Sequence, residues 1–415
     1  VARPSPSLRR NSSMFRVPPV VAVALILHAP LSWAAAEPFT PTSDDTVLEQ
    51  VAPRAAEAAA VRALDAQRRA LAAHPDALPQ ALAYARKAIE LGRAEADPRY
   101  HGRAESALAP WLALADPPPA VRLLRATLRQ QRHDFAGALA DLDVLIGRQP
   151  DDLQARLTRA TVLMVQGRPA DALVDCNALL AARGNLLAAA VCVTSARSLD
   201  GHAAAAASAL AAAIDESPSA TPGERIWALT ALAEIEARRG ERGAAEARFR
   251  DALAVLAASG TQDPYLLTAW ADFLLANGRA AEAITITRDQ TRIDNLLLRH
   301  ALAQAAIGDP ALADSLAQLD ARFTEAGLRG DAGVHLREEA LFALKLQREP
   351  LRALTLAERN WQSQREPADA RLLLEAAQAA KQPAAGQPVL DWMTRTGIED
   401  ADLRALAAAL KAAGR

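Results

Sequence analysis

From about Ala55 onward, apolar residues recur at helical spacing and never settle into the alternation expected of β-strands. Turn signals break this pattern about every 15 to 20 residues. They include His74-Pro75-Asp76, Asp116-Pro117-Pro118-Pro119, Gln149-Pro150-Asp151-Asp152, Ser217-Pro218 and Gln262-Asp263-Pro264. Between them lie tight glycine turns: Gln166-Gly167-Arg168, Arg239-Gly240-Glu241 and Asn277-Gly278-Arg279. Short helices alternating with two kinds of turn predict an all-α chain built of repeated antiparallel pairs.

Aligning the turn glycines makes the repeat explicit. Gly167-Arg168-Pro169-Ala170-Asp171-Ala172-Leu173 runs parallel to Gly201–Ala207, to Gly240-Glu241-Arg242-Gly243-Ala244-Ala245-Glu246 and to Gly278–Ile284. Gly167 and Gly201 stand 34 residues apart. On these residues the chain resembles the tetratricopeptide repeat family, whose unit is 34 residues with small side chains at positions 8, 20 and 27. With Gly240 at position 15, Ala233, Ala245 and Ala252 take those places and Phe249 the aromatic position 24. Small side chains there let neighbouring helices approach closely. The resemblance implies a right-handed α-solenoid of antiparallel helix pairs. HEAT and armadillo repeats, with longer units, fit the interval less well.

The domain plan expected from these signals has six parts. Residues 1–36 form a signal peptide, 37–54 an extended leader and 55–118 helical units with a weak repeat match. Tetratricopeptide-like repeats occupy 119–294, degenerate repeats 295–398 and a capping helix 399–415. In the signal, Arg3, Arg9, Arg10 and Arg16 precede the apolar run Val20–Leu27, and Ala34-Ala35-Ala36 supply a small-residue cleavage site. Translation from either Val1 or Met14 preserves that order. Export to the periplasm or beyond follows as the expected localisation, and the chain resembles exported proteobacterial tetratricopeptide proteins of unassigned activity.

Composition narrows the function classes. Alanine is about a quarter of the residues, aromatics are 4%, and 47 basic residues face 49 acidic ones. Losing the four arginines of residues 1–36, which contain no acid, takes the formal net charge from −2 to −6. No positive field points to nucleic acid. No nucleophile elbow, phosphate loop, dinucleotide fingerprint or paired-histidine zinc motif occurs. The histidines after the signal never come within four residues of one another, so no metal or other cofactor is implied. The expected class is a non-enzyme.

Cys176 and Cys192 fall on consecutive stacked helices. Either they form a disulfide in an oxidising compartment or they are two small buried apolar side chains. In the family that the chain resembles, first helices line the concave groove, with positions 2, 5 and 9 facing it. The repeat register puts Trp227 and Tyr265 at position 2, Thr230 and Thr268 at 5, and Glu234 and Asp272 at 9. A repeated aromatic, hydroxyl and carboxylate would hold an extended peptide; alternatively, both rings pack against the preceding loops. The expected function is a periplasmic scaffold for a protein or peptide partner. The alternative is a docking or regulatory subunit of an envelope enzyme complex, or an unrecognised hydrolase.

Overall fold

Local capping chemistry starts the helices. Asp134, Asp152, Asn185 and Asp263 each accept a hydrogen bond from the backbone amide three residues on, at 2.9 Å. Thr221 and Glu224 form a reciprocal capping box. Proline fills the first turn at Pro119, Pro169, Pro222, Pro264, Pro350 and Pro367, where its missing N–H costs nothing. The glycine turns end the first helix of each pair in the left-handed region, with φ of 70° at Gly167 and 88° at Gly201. His133 takes the equivalent place one unit earlier at φ 59°.

The computed structural model describes residues 55–328 and 333–413. The signal peptide and leader expected at 1–36 and 37–54 lie outside them. Twenty α-helices and three short 3₁₀ or π turns make up 81% of the described residues, and no strand occurs among them.

Three helices open the stack: α1 (Ala55–Ala73), α2 (Leu78–Glu95) and α3 (Arg99–Leu112). Antiparallel pairs follow, α4 (Pro119–Gln131) with α5 (Phe135–Arg148), α6 (Leu153–Val165) with α7 (Pro169–Ala182), and α8 (Leu186–Ser198) with α9 (Ala203–Asp215). Next come α10 (Pro222–Arg238) with α11 (Arg242–Ser259), and α12 (Pro264–Ala276) with α13 (Ala280–Thr287). Then come α14 (Asp294–Ile307) with α15 (Leu312–Leu328), and α16 (Leu336–Phe342) with α17 (Pro350–Ser363). A π turn, Ala343–Gln347, extends α16 before Arg348 ends it at φ 59°. The chain finishes with α18 (Pro367–Ala379), α19 (Gln387–Thr396) and α20 (Ala401–Ala413). This is an all-α solenoid.

Small residues set the helix spacing. Ala233, Ala245 and Ala252 are fully buried between α10, α11 and their neighbours, beside Phe249. Phe249, Trp270 and Phe273 meet with ring centroids 5.4 Å apart, filling the space that the alanines leave. Apolar clusters of this kind succeed one another from α1–α4 to α16–α20.

Buried ion pairs repeat with the same 34-residue interval. Asp141 on α5 accepts from Arg122 and Arg125 on α4, and Asp175 on α7 accepts from Arg156 and Arg159 on α6. Asp175 has no solvent exposure. Its two arginines therefore do the work that water would do for a surface carboxylate. Cys176 follows it on α7 and is joined by a disulfide to Cys192 on α8, with Cα atoms 5.3 Å apart.

The stack curves until distant units meet. Arg292, just before α14, donates to the Glu95 carboxylate at the end of α2. The last helix, α20, packs on α18 and brings Ala401 to the Gly240 turn. Accumulated curvature, which local sequence does not carry, puts it there.

Candidate functional site

The first helices α10, α12, α14, α16 and α18 follow one another along the stack, and the sequence-expected groove residues lie on the first two. Trp227 stands one turn into α10, after the Thr221–Glu224 capping box. Tyr265 is the second residue of α12, directly after Pro264 and close to the Asp263 cap. Both rings are open to solvent, Trp227 at 38% and Tyr265 at 61% exposure. Neither is packed away against the preceding loop.

The two hydroxyls behave differently from the expectation. Thr230 is 1% exposed and its hydroxyl donates to the Ile226 carbonyl of its own helix at 2.8 Å. It is not a groove residue. Thr268 is half-buried and donates to the Pro264 carbonyl at 2.7 Å. Threonine inside a helix can satisfy its hydroxyl four residues back, and both have done so. The cause for Thr230 is the helix's rotation: its face turns toward the neighbouring helices, where small and apolar residues pack.

The carboxylates are engaged within the chain. Tyr265 donates its hydroxyl to Glu234 Oε1 at 2.8 Å, bridging α12 to α10. Asp272 receives a bidentate pair from Arg299 on α14, Nε and Nη2 each at 2.9 Å. One unit on, Arg337 of α16 donates to Asp369 Oδ1 at 2.6 Å and Oδ2 at 2.8 Å, and also pairs with Glu366. Asn360 adds a 2.7 Å donor to Asp369. These contacts bridge α10 to α12, α12 to α14 and α16 to α18. Glu234 and Asp272, both expected in the groove, thus each already hold a donor from the chain itself.

Electrostatics follow from this crowding. Desolvation pushes the Glu234 carboxyl up to about 7; the Arg238 charge and the Tyr265 hydrogen bond oppose the rise, while the Glu366 and Asp272 charges add to it. The Glu234 charge above all, with the hydrogen bond to it, raises the Tyr265 phenol well above its usual value. Burial works against the Arg299 guanidinium, but the Asp272 charge and hydrogen bond outweigh it, so Arg299 holds its proton more firmly than usual. Arg337 is held the same way by Asp369 and Glu366.

Arg299, Arg337 and Glu366 escape the sequence reading because they sit where the repeat pattern fades: Gly308 ends α14 at φ 70°, but only 30 residues after Gly278, and Arg348 rather than a glycine ends the π turn after α16. The one available signal is the recurrence of arginine on successive first helices. Among the described residues no cluster of three His, Cys, Asp or Glu side chains is arranged for a metal, and no helix is long and apolar enough to cross a membrane.

No protein-family model and no curated protein sequence matches the chain. Solved structures do resemble it. A tetratricopeptide repeat protein from Parabacteroides merdae shares 16% identity over 70% of this chain and 98% of its own, with a TM-score of 0.37. A Rap protein complexed with Competence and Sporulation Factor shares 12% identity over 86% of this chain and 95% of its own, with a TM-score of 0.47. The tetratricopeptide repeat domain of P58(IPK) shares 14% identity over 71% and 98%, with a TM-score of 0.25. At these identities the likeness concerns the helical-repeat fold alone.

Proposed function

We propose that this chain is an exported, non-enzymatic scaffold that holds a protein or peptide partner along the face bearing Trp227 and Tyr265. One observation carries the reading. Two large aromatic rings occupy equivalent places on consecutive first helices and stay in solvent, although the fold has abundant apolar core to bury them in. Exposed aromatic pairs supply contact area at low entropic cost and are common anchors of binding surfaces. Beside them, the Glu234–Tyr265 and Asp272–Arg299 pairs fix the rotamers of the surface before a partner arrives. Binding then rests on the rings, with the paired charges as a rigid rim.

Replacing Trp227 and Tyr265 together by Ala should weaken partner capture by about 1–4 kcal/mol. Crosslinking pull-down from the envelope fraction reads this directly, with circular dichroism as the control for fold. Unchanged capture by an intact fold would move the binding surface elsewhere on the stack. Activity of the purified chain alone against peptidoglycan, peptides or esters would favour the enzyme alternative. Export is supported by the basic, apolar and small-residue order of residues 1–36 and by the Cys176–Cys192 bridge, a bond suited to oxidising compartments. N-terminal sequencing of envelope material should begin Glu37-Pro38-Phe39; protein retaining Met14 in the cytosol would overturn it.

A further inference from the structure

The turns between the helices of α6–α7, α8–α9 and α10–α11 do not face open solvent alone. About 200 residues later the chain returns to them. The Arg365 amide donates to the Val165 carbonyl at the end of α6, at 2.8 Å. Glu399 Oε2 accepts from the Ala203 amide at 3.0 Å, satisfying a free donor in the first turn of α9. Gln364 Nε2 lies 3.2 Å from His133 Nδ1. Leu199, at the end of α8, packs into the apolar cluster of α16–α20.

Glycine makes the approach close enough. A Cβ on Gly167 would stand 2.8 Å from Arg365 Cβ and 2.9 Å from Trp392 Nε1, and one on Gly201 would stand 3.1 Å from the Gly397 carbonyl oxygen. Glycines that serve the helix turns also let two remote strips of backbone touch.

This seam differs from the rest of the stack. Neighbouring helices are covalently linked and share apolar clusters. The seam has a few hydrogen bonds, one half-buried leucine and a buried Trp392 Nε1 without an acceptor. Few apolar contacts and an unsatisfied donor mark a place that opens before the helices unfold. By tying Arg365, just before α18, to the end of α6, the seam closes the row of first helices that runs from α6 through α10 and α12 to α18, and Trp227 and Tyr265 stand on two helices of that closed row.

We propose that the seam is a latch: it holds the helix stack closed on itself, and its release exposes the Trp227–Tyr265 face to a bulky partner. The gating role rests on that face being the binding surface; the latch itself does not, and the test needs no partner.

The test uses Leu199→Asp combined with Glu399→Ala, which strikes the seam while sparing the apolar contacts within each helix pair. Hydrogen exchange should speed up by about tenfold or more at the Arg365 and Ala203 amides, with residues 222–287 unchanged. Small-angle scattering should show an expanded chain of unaltered helix content. In a Tyr265→Cys background, N-ethylmaleimide should label parent and variant alike, whereas a long poly(ethylene glycol) maleimide should label the variant faster. Equal labelling by the polymer would overturn the gate. Unchanged exchange at Arg365 and Ala203, or faster exchange spreading through 222–287, would overturn the latch. Should the double variant unfold, Glu399→Ala alone, read by the same exchange measurement, decides the matter. Failure of either leaves the binding role of Trp227 and Tyr265 to be judged by its own alanine test.

Discussion

The Tyr265 hydroxyl reaches back 31 residues to Glu234 Oε1 at 2.8 Å, tying the first turn of α12 to the last third of α10. The bond joins an exposed ring to a carboxyl that desolvation has pushed up to about 7. That combination has a consequence for stability. Glu234 protonates near pH 7 in the folded chain, against an ordinary value of 4.5. Between these values the folded state binds more proton than the unfolded one, so Glu234's contribution falls as pH rises through the window and is fully lost above it.

Glu234→Gln keeps an acceptor for Tyr265 and removes the charge. The variant should be more stable than the parent at about pH 8, by roughly 1 kcal/mol once screening by groove water is allowed for. The difference should vanish near pH 4. Thermal melts across the range check this, and a constant offset at all pH values would contradict it.

Asp175→Ala should destabilise by about 2–4 kcal/mol, less than the full penalty for breaking a buried pair because Arg156 and Arg159 keep some water. Asp141→Ala should behave alike, since Arg122 and Arg125 stand in the same relation to it. Urea unfolding of both variants measures this. A loss below about 0.5 kcal/mol, the size of a surface substitution, would show that the carboxylates are solvated.

Ala245→Leu and Ala252→Leu should each cost about 1–3 kcal/mol by overpacking. Both alanines are fully buried beside Phe249, so added methylenes meet helix rather than water. Neutral substitutions would mean that α10 and α11 separate freely.

The Cys176–Cys192 bridge spans 16 residues. Its reduction should lower stability by about 3 kcal/mol on the chain-entropy scale. Thiol titration of the unfolded, unreduced chain should find no free thiol, and two per molecule would exclude the bridge.

Helix existence was legible in the sequence because it depends on neighbours within a turn. Asp152 caps at Ala155, Thr221 answers Glu224, and Gly167 supplies the left-handed φ that ends α6. The 34-residue interval also marked Ala245, Ala252 and Phe249 as buried, since close helix contacts recur wherever the unit recurs. The interval failed at Thr230. A repeat position names a place within a unit, while the rotation of α10 against its neighbours decides whether that place meets water.

The sequence by itself thus determined an all-α chain of short paired helices, the turns that divide many of them between 119 and 294, and which small residues let them pack. Tertiary structure alone decided that Glu234 meets Tyr265, that Asp272 meets Arg299, and that Val165 meets Arg365. The first two depend on the angle between successive first helices. The third depends on that angle accumulated over about six units, where each step's small rotation adds to the next. Spacing along a chain records the step; only the folded stack holds the sum.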